Sequence, residues 1–136
     1  MGRIPARLRR LVLRRAGGRC EYCGLAQIGQ EATFHIDHIV PLDAGGPTAA
    51  DNLALACVSC SLRKEARRSA ADPRTGRGVP LFHPRRQHWH RHFRWEGPVL
   101  VGRTRVGRVT VAVLDINHPQ RIELRRRLIA AGEFPA

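Results

Sequence analysis

The sequence predicts an α+β fold stapled by a metal, and three observations carry that expectation. Cys20 with Cys23 and Cys57 with Cys60 form two Cys-x-x-Cys pairs, using all four cysteines of the chain. Apolar residues recur at helical spacing near both ends, and short runs of strand composition lie between the pairs. A chain of 136 residues has room for one modest domain, and a core that small gains from a metal staple.

Taken in order, Ile4, Leu8, Leu11, Val12 and Arg15 follow a helical period. Pro5 suits a first turn and Gly17-Gly18 a stop, so residues 5–16 are expected as an amphipathic helix with arginines outside. Residues 20–24 read as a tight turn that curls backbone amides toward metal-bound sulfurs. Residues 33–35 and those after His38 have strand composition, ended by Pro41. Residues 43–47 are loop, and Thr48 is expected to cap a short helical turn through Asn52. From Cys57 onward, Leu62, Ala66 and Ala70 form a helical stripe closed by Asp72-Pro73. Residues 73–87, rich in Pro, Gly and Arg, read as a linker or wrapping loop. Trp89, Phe93 and Trp95 fit a strand face, and Trp89 with Phe93 fit a helix face. Residues 99–113 favour strand by their Val and Thr content, or helix with Thr104 as its cap. Pro119 opens and Gly132 stops a helix over 119–131. The chain then divides into a basic N-terminal helix (1–19), a metal-stapled core (20–72) and a basic C-terminal extension packed on it (73–136).

Charge is unevenly spread. The net charge is +13, with seven arginines and no carboxylate in residues 1–19. Residues 20–60 contain no Lys or Arg but five carboxylates (Glu21, Glu31, Asp37, Asp43 and Asp51), and ten basic groups follow in residues 61–94. Coding bias explains why Lys64 is the single lysine; it does not explain the stretch without cations. An acidic, thiolate-bearing centre between basic flanks suits a metal site acting on a polyanion, with DNA as the expected partner. No segment is long and apolar enough to span a bilayer, and the N-terminus lacks a secretory signal. A soluble, cytoplasmic protein with reduced thiols, no membrane partner and no small-molecule cofactor is expected.

Four thiolates in two such pairs match Zn²⁺ in charge, softness and tetrahedral geometry, and a site of this kind is closed and structural. Between the pairs stands Asp37-His38. Asp37 is a hard oxygen ligand suited to Mg²⁺ or another divalent ion, and a neutral His38 accepts a proton near pH 7. Together they suit hydrolysis of a phosphodiester. The histidines His83, His88, His90 and His92 lack a cysteine or carboxylate arranged among them. They are expected to join Arg85, Arg86, Arg91 and Arg94 in a phosphate-facing surface, anchored by Trp89 and Trp95. Arg63, Lys64, Arg67 and Arg68 are the first candidates for phosphate contacts.

The run Phe34-His35-Ile36-Asp37-His38-Ile39-Val40-Pro41, then Gly45-Gly46, Asp51-Asn52-Leu53 and Cys57-Val58-Ser59-Cys60-Ser61-Leu62-Arg63-Lys64, resembles the zinc-bound form of the HNH endonuclease family. The resemblance runs from Cys20 to Lys64. It implies a ββα-metal (His-Me finger) core and a divalent-metal-dependent endonuclease. It also implies Asp37 as metal ligand, His38 as general base, Asn52 as the residue orienting the base-bearing loop, and the cysteines as structural zinc ligands. Ser61 stands where the family carries Asn or His as its second metal ligand; it is shorter, a poorer neutral donor, and suited to reaching the ion through water. His35, on the strand face of Asp37, is either a compensating ligand or a packing histidine. The region of Phe93 to Glu96 and the last helix are similar to the C-terminal part of small bacterial proteins carrying this motif. The rival expectation is a non-catalytic zinc-finger DNA-binding protein that keeps the frame without the chemistry.

Overall fold

The computed structural model describes residues 3–135; Met1, Gly2 and Ala136, the outer ends of the expected segments, lie outside the described residues. Helices and small antiparallel sheets make an α+β fold, in two compact units. The first comprises the chain through Arg68 together with His83–Arg86, and the second comprises Ser69–Phe82 and the chain from Gln87. Among the described residues, no helix is long and apolar enough to cross a membrane.

In the first unit, helix α1 (Ala6–Arg15) buries Val12 and ends on Arg14 and Arg15, whose charge suits the negative end of the helix dipole. The arginines of this helix are exposed, as expected. Arg15, on the stripe with Val12, reaches over to donate to the carbonyls of Ala50 (2.9 Å) and Leu53 (2.7 Å), tying the helix to that segment. Strand β1 (His35–His38) pairs antiparallel with β2 (Leu53–Ala56) in the register Asp37↔Ala54 and His38↔Leu53. Every residue of β2 is buried, which is why it reads as Leu-Ala-Leu-Ala rather than as an alternation. Helix α2 (Val58–Lys64) packs against both strands.

Two expectations fail here. The helix after Cys57 ends at Lys64, where Glu65 adopts φ 49°, and does not run on to Asp72. Its stripe does not share one helix face: Leu62 is 61% exposed, Ala66 is exposed, and Ala70 lies in a strand. Residues 50–52 form a 3₁₀ turn, but Thr48 does not cap it; no side chain does.

The second unit corrects the first part of residues 73–87, expected as a linker or wrapping loop. Strand β3 (Ser69–Ala71) and strand β4 (Gly78–Pro80) form a hairpin. Asp72 organises its turn by accepting from the Arg74 amide (3.2 Å) and the Thr75 hydroxyl (3.0 Å). Helix α3 (Trp89–His92) is a single turn leading into β5 (Phe93–Glu96), which pairs with β6 (Val99–Gly102). The ambiguous span thus divides: its first part is β6, and its second is helix α4 (Arg105–Val113), capped by Thr104 Oγ1 accepting from the Gly107 amide (3.1 Å). Helix α5 (Pro119–Ala130) begins at its proline. Val79, Leu81 and Val109 centre the core of this unit, with Ala70, Val106 and Val113 around them.

Candidate active site and metal centre

The four cysteines meet in the first unit. All are buried, and their Sγ atoms lie within 4.8 Å of one another. Cys23 Sγ and Cys57 Sγ are 3.7 Å apart. A tetrahedron with bonds of about 2.3 Å, the Zn–S length, has edges of about 3.8 Å. Within each pair the amide of the second cysteine donates to the first sulfur at 3.4 Å, stabilising thiolate charge. Without a cation, burial pushes the Cys20 thiol well up, and hydrogen bonding to Cys20 and then Cys23 does the same for Cys60. Crowding of this kind calls for a divalent ion, and the donor set fits a structural zinc. The first pair is itself held to the sheet, as the Glu21 amide donates to the Leu55 carbonyl (2.8 Å) and the Leu55 amide to Glu21 Oε2 (2.9 Å). Arg85 pairs with the same carboxylate.

Asn52, 5% exposed, pins the chain after β1. Its Oδ1 accepts from the Val40 amide (2.9 Å), while its Nδ2 donates to the carbonyls of Val40 (3.0 Å) and Pro47 (2.9 Å). Gly46 is obligatory beside it, since a Cβ there would sit 1.8 Å from the Val40 carbonyl oxygen. The loop so fixed brings Thr48 Oγ1 to 2.9 Å from His38 Nε2. With Thr48 accepting, Nε2 carries the proton and Nδ1 keeps the basic lone pair. Sequence reading missed this role for Thr48; its signal was a hydroxyl at the end of the Gly-Gly-Pro loop that follows the histidine.

Asp37 is enclosed. Its carboxylate accepts from the Tyr22 hydroxyl (2.9 Å), and Lys64 Nζ lies 3.1 Å from one oxygen and 3.3 Å from the other. Burial raises its pKa, opposed chiefly by Lys64 and next by the Tyr22 hydrogen bond. Lys64, expected among the phosphate contacts, is instead 2% exposed; its ammonium also donates to the carbonyls of His38 (3.3 Å) and Ile39 (3.1 Å). Arg63, Arg67 and Arg68 are exposed. His35, on the outer part of β1, meets Ser61 of α2, with Nδ1 2.7 Å from Oγ.

These groups line an open cleft of about 440 Å³ that includes His35, Asp37, His38, Ser61 and Glu65. Its oxygen and nitrogen donors suit a hydrated divalent ion with few protein ligands, and the Asp37 carboxylate retains acceptor capacity beyond its present bonds. Among the described residues, the four cysteines alone bring three or more His, Cys, Asp or Glu ligand atoms together. The C-terminal histidines form no such cluster: His83 belongs to the first unit and His88, His90 and His92 to the second.

Residues 20–67 match the family model described as HNH endonuclease. This segment is an HNH domain. The match covers the knuckles, the β1–β2 hairpin and α2, so the HNH domain lies in the first unit, and its family points to a nuclease or nucleic-acid-binding role. No curated protein matches the chain.

Proposed function

We propose that the protein is a divalent-metal-dependent endonuclease that hydrolyses phosphodiester bonds in DNA, with His38 as general base. The observation that carries this reading is the fixed imidazole: His38 is held by Thr48 on a loop that Asn52 locks to the strand, at the edge of an open cleft. His38 Nδ1 takes a proton from water, and the hydroxide attacks phosphorus from the side opposite the leaving oxygen. Asp37, Ser61 and His35 are the groups that would hold the ion, whose chemistry is to offset phosphate charge and stabilise the leaving oxygen. Arg63, Arg67 and Arg68 extend from the cleft end of α2 and grip phosphates on either side. The structural zinc keeps the strands and α2 in register and takes no part in the chemistry.

A second reading, a non-catalytic DNA-binding domain, is favoured by the Lys64–Asp37 ion pair and by Ser61, which together weaken the ion site. Plasmid nicking with Mg²⁺ or Mn²⁺ separates the two. His38→Ala is expected to lower the rate by about 10²–10⁴ while leaving DNA affinity intact. Equal rates for the two proteins, or an inert wild type that still binds DNA, would overturn the nuclease reading.

A further inference from the structure

We propose that His35, together with Ser61, selects the cleft's divalent ion, and that the selection favours a nitrogen-tolerant transition ion such as Mn²⁺ over Mg²⁺. The inference deepens the metal-dependent reading and rests on it. Neighbouring ligands of an octahedral ion with bonds of about 2.1 Å lie about 3.0 Å apart. His35 Nδ1 and Ser61 Oγ are 2.7 Å apart, so the pair accepts an ion with a shift of a few tenths of an ångström. Backbone pairing fixes one partner, through His35↔Ala56, and helix α2 fixes the other. His35 is exposed, and its ring is reached from the cleft without opening the fold.

The carboxylate does not compete for that role. Lys64 already neutralises Asp37 inside a site where their side chains are 2% and 9% exposed. A carboxylate with its own ammonium partner pulls a second cation weakly, and Mg²⁺ depends on that pull because it binds through hard, charged oxygens. Imidazole instead suits the later divalent ions, and Mn²⁺ accepts both donor types. His38, Asp43 and Glu65 also line the cleft, but among the described residues no three imidazole or carboxylate ligand atoms meet there. A site built on the His35–Ser61 pair beside a shared carboxylate is therefore a poor magnesium site.

Electron paramagnetic resonance on the zinc-loaded full chain tests this directly, since Mn²⁺ does not displace zinc from four thiolates. Bound Mn²⁺ is expected to show ¹⁴N modulation of its spin echo, and displacement should need an excess of Mg²⁺ of about tenfold or more. His35→Ala should abolish the modulation and weaken Mn²⁺ binding about 10–100-fold. His35→Gln, of similar length but without the imidazole, should behave alike, with zinc content and circular dichroism unchanged in both. Bound Mn²⁺ without modulation, or modulation lost in His38→Ala but kept in His35→Ala, overturns the inference and leaves the nuclease reading standing. Failure of the wild type to bind Mn²⁺ while it binds Mg²⁺ overturns the inference alone, and failure to bind either ion overturns both.

Discussion

Replacing Asn52 by alanine strikes the bond set that holds the base-bearing loop. Three hydrogen bonds to the backbone of Val40 and Pro47 disappear, at a position 5% exposed. Each such bond is worth about 0.5–1.5 kcal/mol net, and the peptide groups left buried without partners add to the loss. The sum is about 2–4 kcal/mol. For a unit of about 70 residues, this corresponds to a melting temperature roughly 10–25 °C lower. Release of zinc into a chromogenic chelator during heating reads the transition in the first unit. Exchange of the Val40 amide reads the loop itself and should speed up about 30-fold or more, which is the factor for 2 kcal/mol. Asn52→Asp is a sharper version. One carboxylate oxygen still accepts from the Val40 amide, but the other faces two carbonyl oxygens and is repelled. That repulsion raises the carboxyl's pKa in the folded state, so the variant regains stability as pH falls and its proton becomes a donor. A melt within about 3 °C of wild type, with the Val40 amide still protected, would refute the account of Asn52.

Stripping the zinc with a chelator, or Cys57→Ser, is expected to abolish the cooperative melt of the first unit, because the metal joins the knuckle before β1 to the one that starts α2. An apo chain whose transition survives would count against a structural metal. Protons compete with zinc for sulfur, so release into the chelator should grow as pH falls. In the second unit, Arg108 holds the Asp72 carboxyl down at about 2, helped by the Arg74 amide and the Thr75 hydroxyl. A depressed carboxyl stabilises the fold fully above its unfolded value of about 3.9, and that contribution is lost as pH drops toward 2. Trp89 and Trp95, the two tryptophans of the chain, both lie in this unit, so their fluorescence reports its acid unfolding alone. Asp72→Asn should flatten the stability slope between pH 4 and pH 2; an unchanged slope would refute the assignment.

The zinc frame was legible because four cysteines in two short-spaced pairs leave few alternatives, and α5 because its proline and glycine mark both ends. The hairpin from Ser69 to Pro80 was missed because a thin alanine stripe reads as helix when its partner strand is unknown. Its signal was the Asp72-Pro73-Arg74-Thr75-Gly76 run, a turn sequence divided between the expected helix stop and the linker or wrapping loop after it. Residues 99–113 stayed ambiguous because their Val and Thr content favours strand while Thr104 offers a helix cap, and the tight approach of Gly107 to the His92 carbonyl is a contact between residues distant in the chain. At the site, the residue types were visible but their pairing was not. Tyr22 and Lys64 on Asp37, Thr48 on His38 and Ser61 on His35 all join residues ten or more apart in the chain, and no local period encodes them.

Lys64 shows where geometry overrides composition. Lys64 is the single lysine among the 24 Lys and Arg residues of this chain, so the pressure toward arginine is strong. At position 64 the cation sits 2% exposed among three acceptors: the Asp37 carboxylate and the carbonyls of His38 and Ile39. Those acceptors surround a point. A compact ammonium has three rotatable donors that reach all of them, whereas the planar fork of a guanidinium matches a flat pair of oxygens and is larger. The buried pair need not add stability over an apolar substitute, because desolvating both charges offsets their attraction. What the ammonium does is satisfy the end of β1 and the carboxylate beside it at once, on the strand that also carries His35 and His38. The same bonds that settle Asp37 leave the outer imidazole as the less encumbered donor in the cleft, so the stability of the strand and the metal preference proposed for it share one cause.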